Sequence, residues 1–281
     1  ILIVFSILAS LKMLFTGFNL DEEYQIVMSY RRLLGDRLFV QMWEPHQTSA
    51  FVCTLLLRLY TRVFHTTTGC VIYLRICGTL IHLAVAYFLY GTIRETGTHK
   101  DSAFIAALAF YDIIPKQIIT PEFAIMQVWF FVLTWGFIVR AYTLGEQYGG
   151  ATRIRARMLV CIILSSLTMS AQVLAYPSCI ILFPVFAVMI YKLLPLDLSG
   201  KRSYTVAFVL ACMLCGLIYI AVVFHGVGAA KLAETLHNII DGDVTHAGRE
   251  GARAISMAKS LVHIALDLFM LYIAARLIWR V

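Results

Sequence analysis

Apolar residues run in long blocks along this chain, near 1–18, 71–92, 102–114, 123–142, 158–174, 177–193, 204–224 and 259–279, with polar residues gathered between them. A helix that crosses a bilayer needs about 20 mostly apolar residues at 1.5 Å rise each, so these blocks predict membrane-spanning helices. The third is short, and the expected count is seven or eight. Only helices or closed barrels satisfy the backbone in lipid, and blocks this continuous do not alternate as barrel strands do. The expected fold is therefore all-α, a polytopic integral membrane protein in which residues 1–281 form a single transmembrane domain.

Two segments between the blocks have a different pattern. In 22–34 the residues Tyr24, Ile26, Val27, Tyr30, Leu33 and Leu34 are spaced for one helical face, and Gly35 is placed as a C-cap. Segment 49–64 is apolar but carries Arg58 and Arg62, which suits an interfacial helix whose side chains snorkel to headgroups. With 49–64 on the surface, the basic segments 93–101, 143–157 and 192–203 and the tail with Arg276 and Arg280 fall on one side, which the positive-inside rule makes cytoplasmic. Segments 19–70, 115–122 and 225–258 then share the outer face, the first as a long loop with juxtamembrane helices. In the last, a helical stretch around 229–240 is followed by Asp241-Gly242-Asp243, a turn signature.

Composition agrees. Hydrophobic residues make up 60% and charged residues only 14%, well below the quarter of charged residues usual in soluble domains. The net charge of +7 follows from basic loops that set orientation and implies no nucleic-acid partner. Seven cysteines, all in or beside apolar blocks, give no disulfide framework, and Cys212-x-x-Cys215 reads as two small apolar residues of one helix. Ile1 already lies in an apolar run and Val281 ends one, so the expectation is of a fragment.

The chemistry-bearing feature is Asp21-Glu22-Glu23-Tyr24, directly after the first block. Carboxylates are costly near hydrocarbon, about 2.5–3.5 kcal/mol at the bilayer centre even on lenient scales. Two readings stand: a substrate-facing cluster, or Asp21 as the N-cap of the next helix with Glu22 and Glu23 in its first turn. Lys116 and Arg75, at outer ends of spans, are candidates to hold a lipid phosphate or to snorkel. Lys259, His263 and Asp267 are four apart and so share one helical face that descends into the membrane. They line a substrate cleft or lock helices together.

The stretches Asp21-Glu22-Glu23-Tyr24, Trp43-Glu44-Pro45-His46-Gln47-Thr48-Ser49, Leu74-Arg75, Pro115 and Thr120-Pro121-Glu122 together resemble the GT-C glycosyltransferases of the protein O-mannosyltransferase type. The resemblance implies transfer of a sugar from a polyprenyl- or dolichyl-phosphate donor to an acceptor on the outer face, with inversion. It implies Asp21 as the general base and Glu22 as its neighbour that positions substrate. Glu122 stands where that family commonly has a second acidic residue, usually Asp. Glu44 and His46 could meet this set and hold a divalent cation, the one cofactor left open. A bacterial plasma membrane is the expected location, the bilayer and the lipid-linked donor are the expected partners, and the acceptor stays unassigned. The rival expectation is a transporter or flippase that uses Asp267, His263 and Glu122 as an ion pathway; a non-catalytic scaffold is the third.

Overall fold

A computed structural model describes residues 2–42, 44, 46–147 and 152–246. The chain divides into two compact units, one ending at Val227 and one beginning at Gly228. The first holds nine α-helices among the described residues: α1 (Leu2–Leu14), α2 (Leu20–Leu34), α3 (Phe51–Phe64), α4 (Cys70–Glu95), α5 (Lys100–Asp112), α6 (Phe123–Glu146), α7 (Thr152–Ala175), α8 (Leu182–Leu193) and α9 (Leu198–Val223). Short 3₁₀ turns at Gln47–Ala50, Pro115–Gln117 and Pro177–Ile181 precede α3, α6 and α8. Each of the first seven apolar blocks lies within or beside one of these helices, and the block 259–279 lies outside the described residues.

Four helices, α4, α6, α7 and α9, are long and apolar enough to cross a membrane. The all-helical membrane fold is as expected. α1 and the segment Pro177–Leu193 are apolar but shorter. α2 ends at Gly35 in the left-handed conformation (φ 109°), whose N–H closes on the Arg31 and Arg32 carbonyls, as the sequence predicts. α3 begins at Phe51 and is amphipathic, with Cys53, Thr54 and Leu57 buried and Leu55, Leu59 and Val63 exposed.

The core lies between α6, α7, α8 and α9, where Ile138, Met158, Ile162, Phe186, Ile190 and Phe208 are buried together. A second cluster, with Val85 of α4, Ile119, and Ile125, Met126 and Trp129 of α6, seats the loop before α6 on α4. Gly78 makes that seating possible, because a Cβ there would lie 1.8 Å from the Ile119 carbonyl oxygen. Leu210, Leu214, Leu217 and Val222 of α9 are exposed, as on a helix whose outer side faces hydrocarbon.

The second unit contributes α10 (Ala229–His246). It corrects the expected turn, since Asp241-Gly242-Asp243 lies inside this helix. A mid-helix glycine costs only about 1 kcal/mol, and the i,i+4 pair His237–Asp241 (3.1 Å) spans the position from which the turn was to start.

Candidate active site

The site begins at the first turn of α2. Asn19 has extended backbone (φ −101°, ψ 147°), and its side chain accepts the Asp21 N–H at 3.1 Å. Asparagine is among the best N-caps. The capping role that the sequence left open for Asp21 therefore belongs to Asn19, and Asp21, Glu22 and Glu23 occupy the turn where the helix dipole favours carboxylates.

Successive helical residues point about 100° apart, so Asp21 and Glu22 meet different surroundings. Glu22 is 2% exposed. Arg75 of α4 grips it bidentately, Nε to Oε1 at 2.8 Å and Nη2 to Oε2 at 2.6 Å, and the Thr120 hydroxyl donates to Oε1. The other Arg75 hydrogen bonds go to the carbonyls of Leu14 (2.9 Å), Thr16 (2.7 Å) and Gly17 (3.1 Å). A guanidinium has five N–H donors, and these bonds engage all of them. Arg75 thus ties the α1–α2 linker, α2 and α4 into one piece.

Asp21 faces outward, one-third exposed, and its Oδ2 accepts from the Lys116 Nζ at 2.5 Å. The Lys116 ammonium also lies 4.7 Å from the centroid of the Phe123 ring, a cation–π arrangement. Lys116 and its neighbour Gln117 both have left-handed backbone, φ 54° and 59°. Such conformations cost about 1 kcal/mol or more for a non-glycine residue and persist only where surrounding structure enforces them. Here the enforcing contacts are the buried run Ile118, Ile119 and Thr120, docked on α4 at Gly78. Strain is held at the residue that meets Asp21.

Glu122 is fully buried and N-caps α6, accepting from Ala124 N–H and Ile125 N–H, each at 2.9 Å. Burial pushes its pKa up to about 7, against the pull of those two N–H groups and of Lys116, while Asp21 adds to the push. Glu122 therefore lies within electrostatic reach of Lys116 and Asp21.

On the adjoining side, the His46 ring stacks on Phe123 (4.3 Å between centroids, 14°) and on Tyr176 (4.8 Å, 26°). Glu44 lies 3.7 Å from an Arg31 guanidinium nitrogen. The Tyr24 hydroxyl has its pKa raised by burial first, then by the charges of Glu44 and Asp21. No group of three His, Cys, Asp or Glu among the described residues could hold a metal ion. With His46 between two aromatic rings and Glu44 beside Arg31, the donors among the described residues do not fit a divalent cation.

Asp21, Glu22, Glu44, His46, Arg75, Lys116 and Glu122 are thus linked around one end of the helical bundle. Lys259, His263 and Asp267 lie outside the described residues, as do Trp43 and Pro45 of the quoted stretch. Residue-by-residue reading passed over Tyr24, Thr120, Phe123 and Tyr176 as site members. Tyr24 and Thr120 stand within the stretches that carry the resemblance, and Phe123 and Tyr176 flank the prolines that break spans.

The arrangement offers a solvent-reachable carboxylate beside an ammonium, a buried carboxyl with an elevated pKa, and an aromatic wall. The first can take a proton, the ammonium can hold an anion, and the wall can pack a ring.

No protein-family model and no curated protein matches the chain. Among solved structures it is similar to that of the Archaeoglobus fulgidus oligosaccharyltransferase tethered with an acceptor peptide containing the NVT sequon via a disulfide bond, with a TM-score of 0.52 and 14% identity. The match covers 86% of this chain and 37% of that one. At this identity the likeness is one of fold, and it agrees with the all-helical membrane architecture expected above.

Proposed function

We propose that the chain is the membrane part of a glycosyltransferase that moves a sugar from a polyprenyl- or dolichyl-phosphate donor to an acceptor outside the membrane, with Asp21 as general base. The observation that carries this reading is that Asp21 is reachable and relieved of structural work. Asn19 caps the helix, Arg75 is saturated by Glu22 and the linker carbonyls, and Asp21 is left part-exposed beside Lys116. The fold likeness to an oligosaccharyltransferase supports the reaction class, and the Asp21-Glu22 stretch supports the O-mannosyltransferase-like variant within it.

In the reaction an acceptor hydroxyl attacks the anomeric carbon opposite the phosphate. The carbon–oxygen bond to phosphate breaks, the lipid phosphate leaves with the electron pair, and the acceptor proton passes to Asp21, so the anomeric configuration inverts. Lys116 has two anions to serve, Asp21 at rest and the departing phosphate during transfer, where a positioned cation stabilises developing charge. Glu22 and Arg75 hold the first turn of α2 in register with the loop that carries Lys116. The site lies at the ends of α4 and α6 away from Arg94, Arg153, Arg155 and Arg157, and the positive-inside rule makes its face the outer one. The transport alternative gains no support from Glu122, whose two oxygens both accept from its own helix.

The test is transfer of labelled sugar from a panel of polyprenyl-phosphate sugars by native membranes that contain either the wild-type protein or Asp21→Asn. The reading expects transfer from at least one donor that Asp21→Asn abolishes at unchanged expression. Transfer that survives the substitution removes Asp21 from the chemistry.

A further inference from the structure

The opposite ends of α4 and α6 carry a cavity lined in part by charged residues, about 27–33 Å along α6 from Glu122 at 1.5 Å per residue. Its volume is 610 Å³, and its lining includes Glu95 of α4, Arg140 and Leu144 of α6, and Arg153, Arg157 and Val160 of α7. Arg140 is pre-positioned: its Nε donates to the Thr92 hydroxyl at 3.2 Å and lies 3.3 Å from Glu95 Oε2, and its guanidinium carbon sits 4.4 Å from the centroid of the Phe88 ring. Glu95 neutralises this one charge. Arg153 and Arg157 are four apart on one face of α7, are exposed, and have no ion-pair partner among the described residues.

Both stand in the first turns of α7, which has no acidic residue in its first turn. Cations at a helix N-terminus oppose the dipole, which favours an anion there instead. The cavity therefore has excess positive charge where local electrostatics already calls for an anion. Guanidinium groups match phosphate geometry through paired N–H donors, and basic pockets between spans on the cytoplasmic side suit anionic headgroups. Leu144 and Val160 supply an apolar margin to the lining, which a free phosphate would not use.

We infer that this cavity binds the phosphodiester headgroup of an anionic phospholipid, with Arg153 and Arg157 on the phosphate and Arg140 as the fixed wall. The site is separate from the carboxylates of Asp21, Glu22 and Glu122, and the inference does not depend on the proposed transferase activity. Arg155 provides an internal control, because it lies on the same turns but borders a different cavity, beside Ser203 and Tyr204.

The experiment is native mass spectrometry of the full chain from phosphatidylcholine nanodiscs doped with phosphatidylglycerol, which reads the anionic lipid retained. Each basic contact is worth about 1 kcal/mol, and 1.4 kcal/mol is tenfold, so Arg153→Gln/Arg157→Gln is expected to lower retention about tenfold or more. Arg155→Gln should leave it unchanged, and millimolar inorganic phosphate should not displace the lipid. Equal loss in Arg155→Gln would assign the effect to diffuse surface charge and overturn the site. Retention unaffected by the double substitution, or abolished by inorganic phosphate, would also overturn it.

Discussion

The two ends of α4 and α6 handle charge in opposite ways. At one end Arg75 and Glu22 are buried, matched one to one, and bonded through every guanidinium donor. At the other, Arg140 is held along one edge while Arg153 and Arg157 remain exposed. Buried ions without matched partners are strongly unfavourable, so the first end has to be complete to exist and acts as a scaffold. Surface charges are cheap to leave open, so the second end can keep donors ready for a ligand. Asp21 and Lys116 are instructive because they sit at the scaffolded end yet remain partly exposed. Reactivity is to be sought in the charges that the scaffold holds in place but does not bury.

The sharpest way to break this contrast is Arg75→Gln. Removing one member of a buried pair costs about 3–5 kcal/mol, so thermal unfolding of the purified chain in detergent should show a large loss. Arg153→Gln at the open end should stay within about 0.5 kcal/mol, and equal losses at both ends would end the comparison. Gly78→Ala comes next. Its Cβ would meet the Ile119 carbonyl oxygen at 1.8 Å, and overpacking of this kind costs about 1–3 kcal/mol. It should also lower transfer, because the loop it displaces carries Lys116.

Glu122→Ala removes the α6 cap and should cost about 1 kcal/mol in the same unfolding assay. Glu122 also predicts a pH dependence. Its pKa is raised from 4.5 to about 7 in the folded chain, so between those values the folded state keeps a proton that the unfolded state releases. The stability it contributes is complete below about pH 4.5 and is lost as pH rises through about 7. Glu122→Gln should flatten that slope, and a slope unchanged by the substitution would assign it to other groups. Lys116→Gln should lower stability by less than about 1 kcal/mol, as for exposed pairs, although transfer should fall with it.

What the sequence disclosed was local. The helix over 22–34 and its end at Gly35 were legible, but its apolar spacing pointed to the wrong face, since Val27, Tyr30 and Leu34 are exposed while Glu22, Gln25, Met28 and Ser29 are buried; Arg58 and Arg62 marked α3 as a helix short of the membrane-spanning class. Asp241-Gly242-Asp243 misled because a local turn preference of about 1 kcal/mol yields to a helix that continues on both sides. Pairing across the chain was not legible: Glu22 and Arg75 are 53 positions apart, and nothing periodic announces them as partners. The same holds for the basic cavity, whose walls come from three helices. In sequence, Arg153, Arg155 and Arg157 read only as a topology signal, and no pattern distinguishes the two that line this cavity from the one that borders another. Asp21 was visible as a candidate, but its release from capping depends on the Asn19 backbone conformation.

The central claim is that Asp21 does the chemistry while its neighbour Glu22 holds the structure. The most direct test is to measure sugar-transfer rate and unfolding temperature together for Asp21→Asn and Glu22→Gln. The account predicts that Asp21→Asn loses about a hundredfold or more in rate, as for removal of a general base, at an unchanged unfolding temperature, whereas Glu22→Gln unfolds at a clearly lower one. Wild-type transfer by Asp21→Asn would contradict it.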